Sequence, residues 1–170
     1  MTNSPISIPT PHGIFVATYS QAGLCRLEFP EKIQPPKTQP NLTGLAKRWH
    51  RDTVQTLETM LLGQAQRARP PLDLSAGTKF QISVWQQLLQ IPLGQARSYG
   101  ELAKRLGKPN ASRAVGNACG ANPIPVIVPC HRLLAAHGRI GGFSSGPNWK
   151  QRLLRIENTP FIDKPVPAQT

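Results

Sequence analysis

The 170-residue chain has no uninterrupted run of about 18 apolar residues, the length a membrane-spanning helix needs. Its first residues, Met1 to Pro11, show neither the basic start nor the apolar stretch of a secretory leader. Acidic residues are scarce: eight Asp and Glu stand against twenty Lys and Arg, a formal net charge of +12. Cysteine is scarce too. Cys25, Cys119 and Cys130 are odd in number, widely spaced and form no C-x-x-C pair, which argues against a zinc ribbon or a redox motif. The four histidines, His12, His50, His131 and His137, add no metal-ligand spacing, so neither a metal nor a cofactor is expected. Reduced thiols with no leader and no span imply a cytoplasmic protein without a membrane partner.

What is present is positive charge, unevenly placed. Up to Ala76 there are eight Lys/Arg against five Asp/Glu; from Gly77 onward there are twelve against three. A polyanion is the natural partner of the second half, because neutralising several phosphates releases counterions. The 39% hydrophobic content supports a real core despite eighteen prolines and fourteen glycines.

Residues 12 to 29 hold two strand-like runs, Ile14 to Tyr19 and Leu24 to Phe29, separated by a Ser-Gln-Ala-Gly turn, the pattern of a β-hairpin. Pro30 to Asn41 reads as loop. A helix follows from Thr43, with Leu45, Trp49, Leu57, Met60 and Leu61 near one face and Gly63 as its stop. A short strand is expected within Arg67 to Ser75. Chemistry-bearing residues begin only after Gly77. Thr78 and Gln81 form a capping box that opens a helix running to Pro92, and Ser98 and Glu101 form a second, opening a helix that Gly107 ends. A third helix, Ala111 to Ala118, completes a helix-turn-helix in a basic setting.

That third helix is poor in base-reading side chains. Ser112, Ala114 and Gly116 are small and only Arg113 is long, which suits close backbone approach to a minor groove better than major-groove reading. Beyond it, Val126, Ile127 and Val128 read as a short buried strand closed by Pro129, presenting Cys130 at the mouth of a cavity. A thiol that attacks carbon at neutral pH needs a base or a positive field, and His131 and Arg132 are at hand. The pair alone equally describes a buried thiol beside a surface imidazole. Leu133 to Ile140 reads as a second hairpin with a turn at His137-Gly138, and Gly141 to Gly146 as a Gly-rich pocket wall with Phe143 as a stacking surface. The last helix, Trp149 to Glu157, buries Trp149, Leu153 and Ile156. Glu157 sits at its C-terminus, against the helix dipole, which points to a cationic or imidazole partner.

Taken together, Gly77-Thr-Lys-Phe-Gln, Ile91-Pro, Ser98-Tyr99-Gly100, Arg113-Ala-Val-Gly, Asn122-Pro123 and Pro129-Cys-His-Arg132 resemble the O6-alkylguanine-DNA alkyltransferase family over Gly77 to Glu157. The resemblance implies an α/β (α+β) protein. Residues 1–76 would be an N-terminal α/β scaffold with a short antiparallel sheet. Residues 77–170 would be a mainly helical domain with a helix-turn-helix, winged-helix-like, and an active-site strand. It implies that Cys130 accepts an alkyl group from O6 of guanine, and of thymine O4 by extension, in double-stranded DNA. His131 would activate the thiol through a water, oriented by Glu157, and Asn122 would tie the helix-turn-helix to the active-site strand. Tyr99 would donate to guanine N3. Arg113 would fill the gap left by the flipped nucleotide, with Ser112, Ala114, Gly116 and Arg132 at the DNA. Leu133, Phe143 and Ser144 would line the base pocket, Phe143 keeping the ring of the family's usual Tyr without its hydroxyl. A thioether cannot be hydrolysed by such a site, so a single turnover by a monomer is expected.

Two other readings compete. An alkyltransferase-like lesion binder lacks the acceptor cysteine, which is present here. A Cys-His-Glu hydrolase needs an oxyanion hole and leaves the basic helix-turn-helix unexplained, whereas a transcriptional regulator would need a richer recognition helix than Arg113 alone provides.

Overall fold

A computed structural model describes residues 4–66, 68–141 and 148–163. The anticipated hairpin forms from β2 (Gly13–Tyr19) and β3 (Leu24–Glu28), paired antiparallel. A third strand, β1 (Ile6–Thr10), adds to the outer edge of β2. Pro9 within it and the flanking Pro5 and Pro11 mask it in the sequence. Pro9 is tolerated because β1 is an edge strand, where a missing N–H leaves no ladder bond broken. Ile6 and Ile8 alternate inward onto Phe15, Ala17 and Leu27. The strand expected within residues 67 to 75 is reduced to a single bridge, Leu72 beside Leu24.

Helix α1 (Gly44–Leu61) packs Trp49, Leu57, Met60 and Leu61 under this sheet, while Leu45, placed on the same face by its spacing, is exposed. Both predicted capping boxes are present. Thr78 opens α2 (Lys79–Leu88), its hydroxyl accepting from Gln81 N, and Ser98 opens α3 (Tyr99–Arg105), accepting from Glu101 N. Helix α4 (Ser112–Gly120) completes the helix-turn-helix, and Trp85 of α2 locks it in place by donating from Nε1 to the Ala118 carbonyl at 2.8 Å. Among the described residues no helix is long and apolar enough to cross a membrane.

Two local expectations are corrected. Residues 126–128 form no strand. Pro123, Pro125 and Pro129 lack N–H donors and interrupt the segment on either side, and Val128 N donates back to the Ile124 carbonyl at 2.9 Å, so the run is a tight turn whose apolar side chains are all buried. Among the described residues, the second hairpin expected over Leu133 to Ile140 is also replaced. β5 (Leu133–Leu134) pairs in parallel with β4 (Arg97–Ser98), and a 3-10 turn at Ala136–Gly138 then leads Arg139 to a bridge with Ile162. The main hydrophobic core runs from the sheet through α1 and α2 to Val126 and α5 (Trp149–Ile156), and Leu134, Ile140 and Leu154 form a smaller second cluster.

Candidate active site

The turn that presents Cys130 is built around Asn122. Its Nδ2 donates to the Val128 carbonyl at 2.8 Å and its Oδ1 accepts from Ile124 N at 3.0 Å, so one side chain supplies the pairing that a neighbouring strand would otherwise give. The same amide hydrogen-bonds the Cys130 sulfur. Val126 is forced to φ +72°, a cost on the order of 1–3 kcal/mol for a β-branched residue, which the complete burial of Ile124, Val126, Ile127 and Val128 holds in place. Pro129, at φ −81° and ψ 65°, closes an inverse γ-turn in which Cys130 N donates to the Val128 carbonyl at 2.8 Å. Cys130 then heads a 3-10 turn, Cys130–Arg132, rather than ending a strand.

His131 is fully buried, and its Nε2 faces Glu157 Oε1 at 2.9 Å. The carboxylate accepts there, which fixes the tautomer and leaves Nδ1 as the free lone pair. Among the described residues Nδ1 has no hydrogen-bond partner. Burial pushes the imidazole down, assisted by the nearby Arg132 and Lys150 charges, against the pull of Glu157, so His131 is a neutral base. Burial opposes ionisation of Glu157 as well, but hydrogen bonds from His131 and Arg132, together with the Arg132 charge, hold its carboxyl at about 2.

Arg132 is not at the DNA-facing surface. Only 6% exposed, it donates from Nε and Nη2 to the two Glu157 oxygens and from Nη1 to the Ile91 carbonyl. Its three-way engagement inside the core replaces the expected place at the DNA with a clamp on the carboxylate.

A cavity of about 870 Å³ opens beside the thiol, lined by Tyr99 on α3, Arg113, Gly116 and Cys119 on α4, and Cys130. Burial raises Tyr99 to about 12, aided by the two cysteines, so its hydroxyl is a donor. Arg113 and Ala114 are exposed and Ser112 and Gly116 half-buried on α4, and Leu133 is buried in β5 beside β4. Phe143 and Ser144 fall outside the described residues.

Sequence reasoning missed Lys150. It is 3% exposed in the first turn of α5, donates from Nζ to Tyr99 Oη at 3.4 Å and lies 5.6 Å from that ring's centroid. Burial lowers it to about 8, although the Cys130 and Cys119 thiols favour its charge. Burial raises the Cys130 thiol, while the Asn122 amide, Lys150 and two backbone N–H groups pull it back. The only advance signal was a lysine at helical spacing from Glu157, one full heptad earlier. Cys119 and the exposed Asn117 also line the cavity without having been singled out. Among the described residues no three His, Cys, Asp or Glu side chains converge on a metal position.

Comparison with known proteins gives a consistent picture. The family described as 6-O-methylguanine DNA methyltransferase, DNA binding domain, matches residues 79–159. The methylated-DNA–protein-cysteine methyltransferase of Methanosarcina acetivorans is 43% identical over 113 residues, 66% of this chain and 72% of that one. Its counterpart in Methanosarcina mazei is 44% identical over 137 residues, 81% and 85% respectively. The crystal structure of Mycobacterium tuberculosis OGT in complex with DNA superposes with a TM-score of 0.74 at 38% identity, covering 90% of this chain and 91% of that one.

Proposed function

The chain belongs to the 6-O-methylguanine-DNA methyltransferase family, and from that premise we propose that it repairs double-stranded DNA by moving an alkyl group from O6 of guanine onto Cys130. The observation that carries this is a buried thiol at the wall of a cavity, followed directly by a neutral imidazole whose tautomer Glu157 fixes. O6 is hidden in a duplex, so the base must leave the stack, at a cost of a few kcal/mol, and enter the cavity. Arg113, exposed at the start of α4, fills the gap, with Ser112, Ala114 and Gly116 allowing close approach. Arg132 belongs to the relay instead.

The sulfur gives its proton, through a bridging water, to His131 Nδ1, and the imidazolium is stabilised by Glu157. The Lys150 ammonium favours the thiolate electrostatically. The thiolate forms a bond to the alkyl carbon as the carbon–O6 bond breaks, and Tyr99 donates its proton to guanine N3 to neutralise the leaving base. The product is a thioether. The site offers no route to hydrolyse it, so each molecule acts once. Residues 77–170 carry the DNA-binding and acceptor functions, on a scaffold of residues 1–76, in a cytoplasmic monomer.

A stoichiometry assay tests the reading. With O6-methylguanine duplex in excess, repair should stop at one equivalent per protein. Continued turnover would favour a Cys-His-Glu hydrolase, and tight binding without repair would favour a lesion sensor.

A further inference from the structure

Helix α5 carries site residues near both ends: Lys150 in its first turn and Glu157 immediately after its last. The N-terminal half touches it at the residues adjoining both. Trp149 stacks on Phe29 of the strand-to-loop junction, with ring centroids 4.7 Å apart, and edge-on against Phe15 of β2 at 5.5 Å. At the other end, Gly63 just beyond α1 lies so close to the Ile156 carbonyl that an added Cβ would stand 2.2 Å from that oxygen. A third contact reaches the acceptor turn itself, where Leu27 N of β3 donates to the Pro123 carbonyl at 2.9 Å.

Successive helical residues point about 100° apart. Trp149 therefore faces the sheet while Lys150 turns the other way, toward Tyr99 of α3, Cys119 of α4, and Cys130 and His131 of the 3-10 turn. An axial slide or rotation of α5 moves Lys150 and Glu157 together, and the aromatic stack and the Gly63 contact oppose such motion from its two ends. Building on the alkyl-transfer reading, we propose that the N-terminal half is a clamp on α5, with Trp149 and Gly63 the positioning residues that set Lys150 and Glu157 at the reacting thiol.

The test compares Trp149→Ala and Gly63→Ala with Trp149→Phe and Gly44→Ala in the full chain. Trp149→Phe keeps a ring in the stack. Gly44→Ala carries the same kind of left-handed strain, at φ +54°, but meets nothing within 4 Å. The readouts are the second-order rate of repair of an O6-methylguanine duplex, its pH profile, duplex affinity and the folded fraction. A misplacement of about 1 Å costs roughly 10²-fold in rate. The clamp predicts losses of that order in Trp149→Ala and Gly63→Ala at unchanged duplex affinity. It also predicts that the rising limb of the pH profile moves to higher pH in Trp149→Ala, with both control variants close to wild type. Rates that fall only with the folded fraction, at an unchanged pH profile, would reduce Trp149 and Gly63 to structural residues and overturn the proposal. Should Trp149→Ala not fold, Phe29→Leu, which loosens one face of the stack, is read by the same criteria. A wild-type protein that transfers nothing refutes the alkyl-transfer reading itself, whereas a wild type that repairs alongside unaffected variants refutes only the clamp.

Discussion

Arg132 grips Glu157 with two hydrogen bonds, Nε to Oε2 at 2.9 Å and Nη2 to Oε1 at 2.8 Å, while the carboxylate side chain is only 1% exposed. Because Oε1 also receives His131, the arginine fixes where the imidazole points. Arg132→Leu removes one partner of a buried pair and should cost on the order of 3–5 kcal/mol, measured by urea denaturation. Arg132→Lys keeps the charge but not the planar fork, and should recover only part of that loss. A stability equal to wild type in Arg132→Leu would show that the pair contributes nothing.

The pH dependence of stability follows from the same cluster. Glu157 titrates at about 2 in the fold, below its unfolded value near ~4.3, so its contribution is present above that unfolded value and is lost as pH falls toward 2. His131 is likewise depressed. The unfolded chain takes up that proton near pH ~6.5 while the folded one does not, so stability also falls as pH drops below 6.5. Denaturant melts from neutral pH into acid should show both declines, and Glu157→Gln should flatten the lower one. Parallel curves for the two proteins would contradict the assignment.

Lys150, buried against Tyr99, has its charge within electrostatic reach of the Cys130 thiol. Lys150→Met removes that field, so the Cys130 thiol should ionise at higher pH and its alkylation by iodoacetamide should slow at neutral pH, with the rate profile shifted toward alkaline pH. An unshifted profile would mean the ammonium is too far away to matter.

Much of the architecture was written in local patterns. The two capping boxes marked the starts of α2 and α3 to the residue, because a Thr or Ser with Gln or Glu three positions on satisfies two orphan donors in a way few other contexts reward. Glu157 at a helix end, opposed to the dipole, correctly announced a basic partner. The acceptor turn was misread because β-branched runs look the same in a buried turn as in a buried strand. What decides between them is Asn122, whose side chain pairs with Val128 six residues away. The inward orientation of Arg132 and Lys150 was unreadable for a related reason. Whether a basic side chain points to solvent or into the core depends on contacts with Glu157 and Tyr99 that are distant in sequence.

Arg113 stands exposed at the second position of α4, beside the cavity mouth. If it fills the space of an extruded nucleotide, Arg113→Ala should slow repair of duplex far more than of single strands, where no stack has to be broken. Comparing the two rates on matched oligonucleotides gives the answer. Equal losses on both substrates would leave it as an ordinary phosphate contact.

The most direct measurement of all is the mass of the protein after mixing with an equimolar O6-methylguanine duplex. Transfer predicts the gain of one methyl group, localised by peptide mapping to Cys130 and absent in Cys130→Ser. An unmodified Cys130, with the lesion still in the DNA, would contradict the account.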